Sequence, residues 1–398
     1  MSVAEAVRYD PYAYEVHEDP YPIYARLREE APLYRNDDHD FWALSRYADV
    51  NAAFRDTARF SSANGVSIEP SASGPHAART MSFLAMDPPR HGRMRALVSR
   101  GFTPRRVTDL APHILELTRQ YLDPALEAGT FDFVADFAGL LPMDVISEMI
   151  GVPAADRVEV RRLADLLVHR EPGVFDVPPA GFEAALELAG YFAEMLAERR
   201  RHQTDDLTSA LLEAELDGER LDDNEIVSFL FLMVVAGNET TAKLLANAWY
   251  WAWRNPDERT KPFADPGRIG DWIEETLRYD GSSQMIGRTL VADATLHGEP
   301  IPAGSRVLLL AGSANRDDDV FPDAARYDLD RDASALLSFG VGRHFCLGAS
   351  LARLEATIAL NELVARVADY DIDEAASRRV HSVNVRGFEA LPTTVTVR

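Results

Sequence analysis

The chain has 398 residues, 46% of them hydrophobic, a formal net charge of -23 and a single cysteine. That acidity argues against nucleic acid as a partner, and one cysteine excludes an internal disulfide. No apolar run reaches the roughly 18 residues of a membrane span. The start, Met1-Ser2-Val3-Ala4-Glu5-Ala6, is neither an apolar signal nor a transit peptide, so a reducing cytoplasm is expected. Length alone suggests two or three domains. No linker or repeat divides the sequence, however, so a single domain over residues 1–398 is expected. Nearly all cations are arginines; the lysines are Lys243 and Lys261.

In chain order, Asp19-Pro20 opens an amphipathic segment through Glu30. Phe41-Trp42-Ala43-Leu44 reads as a strand, and Tyr47 to Phe54 as a helix. Residues 61–85 are rich in Ser, Gly, Ala and Pro and have no period. A loop that long in a compact domain serves as a lid or binding loop, or is disordered. Helical patterns dominate from about 88 to 280, and the longest runs from Asp222 to Arg254. Asp222 and Glu225 form a capping-box pattern at its start, and Asn255-Pro256 stops it. About 32 residues at 1.5 Å each reach roughly 48 Å, enough to cross a domain. Apolar residues lie on almost all its faces, which predicts burial.

In the middle of that helix stands Ala236-Gly237-Asn238-Glu239-Thr240-Thr241. Gly, Asn and β-branched Thr are poor choices for a helix core, and a buried carboxylate needs a partner or a task. The segment is therefore a functional kink, or a tolerated kink with Thr bonding back to the preceding turn. Beyond 285 the pattern turns to strands. Leu296 to Ile301 reads as a hairpin turning at Gly298, Arg306 to Leu310 as an apolar strand, and Leu391 to Val397 as a C-terminal strand. A last helix covers about 348–367. Cys346 precedes it in Phe339-Gly340-Val341-Gly342-Arg343-His344-Phe345-Cys346-Leu347-Gly348. A thiolate at a helix N-terminus is stabilised by free N–H groups, which suits a metal ligand. A small buried hydrophobe is the alternative.

Four features occur in order: the Ala-Gly-x-Glu-Thr-Thr segment, Glu275-Thr276-Leu277-Arg278, Phe321-Pro322-Asp323-Ala324-Ala325-Arg326, and the Cys346 loop. Together, and over nearly the whole chain, they resemble the cytochrome P450 family of haem-thiolate monooxygenases. The resemblance implies a triangular, mainly α domain with a small β-rich region. It implies haem b (iron protoporphyrin IX), with Cys346 as the proximal iron ligand. Gly340, Gly342 and Gly348 would let backbone approach the porphyrin, and Phe339 would keep the sulfur dry. His91, Arg95, Arg288 and His344 would hold the propionates, and Glu239 and Thr240 would be the catalytic acid–alcohol pair. Glu275, Arg278 and Arg326 would form a buried structural charge network.

The resemblance further implies dioxygen as co-substrate and electrons from a ferredoxin and its reductase. These would dock on a face carrying Arg90, Arg93, Arg100, Arg105, Arg106 and Arg343. The expected substrate is a largely apolar small molecule: a steroid, terpenoid, fatty-acid-like compound or polyketide. Residues 61–85, about 165–185, and Ser282 to Ile286 would line its pocket, with Ser283, Gln284 and Asn238 as candidate hydrogen-bonding groups. A peroxide-driven oxygenase and a non-enzymatic haem-thiolate sensor or carrier are the competing readings.

Overall fold

Helix α1, Tyr21–Glu30, starts directly after Pro20, whose fixed φ suits a first turn. Strands Leu33–Asn36 and Phe41–Leu44 follow and pair antiparallel, Tyr34 opposite Ala43. Next comes α2, Tyr47–Arg55. The structure, a computed structural model, describes residues 6–171, 173–216 and 218–398; the leaderless start read at Met1–Glu5 lies outside them. Arg306–Leu309 joins Phe41–Leu44 in parallel, Ile286–Leu290 pairs with it antiparallel, and Phe60–Ser61 closes the far edge. Val307, Leu308 and Leu309 are fully buried, as a central strand requires. The expected hairpin pairs Ala294–Leu296 with Glu299–Ile301. Its two turn residues, His297 at φ 51° and Gly298 at φ 82°, have the positive φ a two-residue turn needs.

The helical part follows as α3 Arg90–Val98, α4 Ala111–Ala128, α5 Leu141–Ile150, α6 Arg157–Val168 and α7 Pro179–Arg201. Then come α8 Asp223–Arg254, α9 Ile269–Asp280 and α10 Ala349–Arg366. The two-way capping box at Asp222 and Glu225 is present, and Asn255 ends α8. Helix α8 packs on α5, α7, α9 and α10, so it forms the spine of both large apolar clusters. It is the one described helix long and apolar enough to span a membrane. Its most apolar stretch is 78% buried by the protein itself, which makes it a core helix.

Helix α8 runs through the 236–241 segment as continuous α-helix. Thr240 Oγ1 donates to Ala236 O at 2.8 Å, which absorbs the hydroxyl without breaking the ladder. Gly237 lets α8 lie close to α5: a Cβ there would sit 3.3 Å from the Ile146 side chain, which would have to shift slightly. Residues 61–85 hold no long element. After Ser61 come only short turns at Pro70–Ala72, Ala78–Met81 and Ser82–Ala85.

Candidate active site

The Cys346 loop is folded by glycine. Gly340 and Gly342 take φ 63° and 76°, open to glycine at little cost. The Cys346 amide donates to Phe339 O at 2.9 Å, which closes the loop. Arg353, one turn into α10, lies 4.4 Å over the Phe339 ring and is held there by Glu274 at 2.9 Å. Cys346 keeps exposed surface although protein surrounds it. That enclosure pushes its thiol up, against the Gly348 and Ala349 amides and the charges of Arg95 and Arg353. A Cβ on Gly348 would meet nothing within 4 Å, so the chain itself leaves room beside the sulfur.

Sequence reasoning placed four bases near this cysteine, and the structure brings them together. The His91 and His344 rings lie 4.0 Å apart, with Arg95 one turn along α3. Burial, then neighbouring cations, drives His91 down to about 4 and His344 to about 3. In the same way burial lowers Arg288 to about 10, against the pull of Asp87. His91 Nε2, Arg95 Nη1 and His344 Nδ1 are all buried without a hydrogen-bond partner among the described residues. Asp87, the nearby carboxylate, already accepts from Ser61 Oγ and from the Ser62 amide at 2.8 Å. Buried donors left unmatched in this number call for an anion. A thiol, a glycine cradle and clustered bases fit a haem with two propionates. A cleft of about 280 Å³ opens beside them, lined by His91, Gly92, Arg95, Ala96, Ser99 and Arg343. A second cavity, about 590 Å³, lies between Tyr21, Trp251, Arg316 and Phe388 and shares no residue with this site.

On α8, Ala236 and Thr240 lie four apart on one face, and Glu239 and Lys243 flank it. The Thr240 carbonyl accepts from Ser282 Oγ at 2.7 Å. Lys243 Nζ stands 3.2 Å from Glu239 Oε2, with both side chains buried. Asp165 of α6 comes against the same carboxylate. Burial and then Glu239 push its carboxyl up to about 7, while Lys243 and Arg161 oppose the shift. Sequence reasoning missed both residues. The i, i+4 spacing of Glu239 and Lys243 was available as a signal; no local pattern marks Asp165.

Two expectations change. Glu275 and Arg278 do form the buried pair, 2.7 Å apart, and Arg278 also donates to Asn315 O and Ala324 O. Arg326 is not their third member: its side chain is 63% exposed and pairs with Asp323 and Asp328. Arg331, 8% exposed and 3.6 Å from Glu275, takes that place. Of the pocket candidates, Gln284 Nε2 donates to Gly281 O at 2.8 Å, and its Oε1 is packed on Gly312, so it serves local backbone. Ser283 bridges to Val385. Asn238 is buried and lies about 200° around α8 from Ala236.

The cytochrome P450 sequence profile matches residues 271–367. The cytochrome P450 123 of Mycobacterium tuberculosis is 58% identical over 390 residues, covering 98% of this chain and 97% of its own. The vitamin D(3) 25-hydroxylase of Pseudonocardia autotrophica is 37% identical over 398 residues, covering 98% and 96%. The crystal structure of CYP109E1 from Bacillus megaterium in complex with corticosterone superposes with TM-score 0.84 at 31% identity, covering 96% of this chain and 99% of that one.

Proposed function

This chain belongs to the cytochrome P450 family of monooxygenases, and from that premise we propose that residues 1–398 form one haem b-binding domain that hydroxylates a steroid-like apolar molecule in the cytoplasm. The observation that carries the cofactor reading is the cluster of His91, Arg95 and His344 with unmatched buried donors beside Cys346. Cys346 would ligate the iron, and those bases with Arg288 would hold the propionates, where guanidinium forks suit carboxylates. Gly340, Gly348 and Phe339 would shape the sulfur's surroundings. The haem, when bound, supplies reductive activation of dioxygen. The chain supplies protons, order and dryness. Because the Thr240 hydroxyl donates to Ala236 O, its lone pairs are free to accept from a proton-bearing group at the site. Glu239 is the neighbouring proton source. This pair favours the dioxygen reading over a peroxide-driven one.

Two relatives with steroidal names support the substrate class. One is the vitamin D hydroxylase and the other is bound to corticosterone. Electrons would come from a ferredoxin. Arg90 and Arg93 are paired with Glu225 and Glu219, each at 3.2 Å, and Arg105 approaches Asp109 at 3.9 Å. The attracting face therefore narrows to Arg100, Arg106 and Arg343, all exposed. Turnover that falls as salt rises is expected of such steering.

The first test is the carbon monoxide difference spectrum of the reduced protein. A red-shifted thiolate band, lost in Cys346→Ser, supports the ligand assignment; a band like that of histidine-ligated haem overturns it. Spin-state titration with corticosterone, vitamin D3 and hexadec-9Z-enoic acid then tests the class. A response to the fatty acid alone would replace the steroid reading.

A further inference from the structure

Glu239 does not stand alone. It is buried, and its Oε2 has Lys243 Nζ 3.2 Å away, outside hydrogen-bonding alignment, so that oxygen keeps a free lone pair. Lys243 is one of two lysines in a chain of -23. Its stem lies against the Gly387 backbone. A Cβ built on Gly387 would come 2.5, 2.7 and 2.9 Å from Lys243 Cβ, Cγ and Cδ. Real Cβ atoms do not approach that closely, so glycine at 387 is what seats the lysine beside the acid. From the other side α6 packs on α8, and Glu239 is the charged neighbour that, after burial, raises the Asp165 carboxyl. Two carboxyls in contact beside one ammonium share a proton, since like charges at that distance do not both stay ionised.

Resting on the proposed role of Glu239, we infer that Lys243 is a positioning residue for it, and that Asp165, Glu239 and Lys243 form one proton-sharing triad spanning α6 and α8. Glu239 passes the shared proton toward the Thr240 face. Asp165, which keeps open surface, takes its replacement from solvent and hands it on. The Lys243 amine, 3.2 Å from Glu239, keeps the acid from holding the proton too tightly. The charged groups bearing on Asp165 are Glu239 and Lys243 of α8 and Arg161, one turn back on α6. Helix α6 thus carries half of the proton route, so its position sets whether the route is complete.

Infrared titration of the holoenzyme reads the triad through the protonated-carboxyl stretch, with every variant measured in a Glu355→Gln background so that the buried Glu355 carboxyl does not contribute. The expected band titrates near neutral pH, vanishes in Asp165→Asn, and moves to higher pH by about 1–3 units in Lys243→Met, as loss of an adjacent opposite charge requires. Lys243→Arg should restore the midpoint in large part. Gly387→Ala, which leaves every charge in place but displaces the lysine stem, should move it in the same direction. A band indifferent to Lys243→Met overturns the inference. The second readout is hydrogen peroxide released per NADPH against pH, with the steroid giving the larger spin shift as probe. Lys243→Met is expected to raise it severalfold at pH 7 and to displace its pH profile with the infrared midpoint. Glu239→Gln separates the two levels. If it leaves peroxide release unchanged, the proposed role of the acid fails. If it raises release while Lys243→Met leaves profile and band unmoved, only the triad fails.

Discussion

Arg278 has no exposed side-chain surface and spends its guanidinium on Glu275 and on carbonyls of the segment before the cysteine loop. Arg331 approaches the same Oε1 of that carboxylate at 3.6 Å and donates to Asp323 O at 2.9 Å. Removing one partner strands a buried charge, a loss of about 3–5 kcal/mol. Arg331→Ala should therefore lower the urea midpoint sharply, whereas Arg326→Ala, which breaks only exposed pairs, should cost about 1 kcal/mol or less. Equal midpoints for the two variants would return Arg326 to the network. The sequence motif reaches Arg326 because it ends there. Which of two arginines five positions apart turns inward is decided by a loop backbone that folds its carbonyls around Arg331, and no local pattern reports that. Cys346 and its glycines were legible for the opposite reason: backbone at positive φ leaves glycine in the sequence. Lys243 was half legible, by its spacing, and Asp165 not at all, since only tertiary packing of α6 on α8 creates the contact.

Along the elements, legibility follows how much of the structure is local. The ends of α8 are set by side chains within three residues of each terminus, and the 297–298 turn by two residues. Both were readable to within a residue. What the period of a helix does not announce is a polar residue placed among its apolar ones. Glu355 is such a case on α10, fully buried, its Oε2 without a partner among the described residues. Burial raises its carboxyl to about 8. The unfolded carboxyl titrates near 4.3. Between those values the folded chain holds a proton that the unfolded chain has lost, so stability declines as pH rises, by up to about 1.4 kcal/mol per pH unit. Below about 4.3 both states are protonated and the contribution is flat. Glu355→Gln keeps the shape and removes the titration. Its stability relative to the parent protein should therefore grow from pH 5 to pH 8 in paired urea denaturations. A difference independent of pH would mean that Glu355 is ionised in the native state.

At the scale of the whole molecule, the segment from 61 to 85 acquires its form from distant partners. Glu69 is buried against the Arg170 guanidinium just beyond α6, and Ser67 Oγ donates to the other Glu69 oxygen at 2.6 Å. Ser71 Oγ donates to Asp176 at 2.6 Å, and Arg306 of the sheet donates to Ser73 Oγ at 2.7 Å. The Arg170 amide meanwhile donates to His381 O. Four stretches far apart in sequence thus meet beyond the end of α6, the helix that carries Asp165. The clasp is polar and mostly long-range, which is why composition left a lid, a binding loop and disorder open and did not show what fastens the segment. A closed lid should obstruct large ligands more than small ones. In Arg170→Met, the stopped-flow on-rate of 4-phenylimidazole to the haem should rise by about tenfold for each 1.4 kcal/mol of closure lost, while that of cyanide changes little. Because Arg170→Met also strands Glu69 and destabilises the fold, the control is Glu69→Gln/Arg170→Met. Pairing the two changes removes the stranded charge and should restore stability while leaving the lid unfastened. If the double variant regains both stability and the slow entry of the bulky azole, the ion pair braces the fold and does not gate it. If stability returns and entry stays fast, the clasp is the gate.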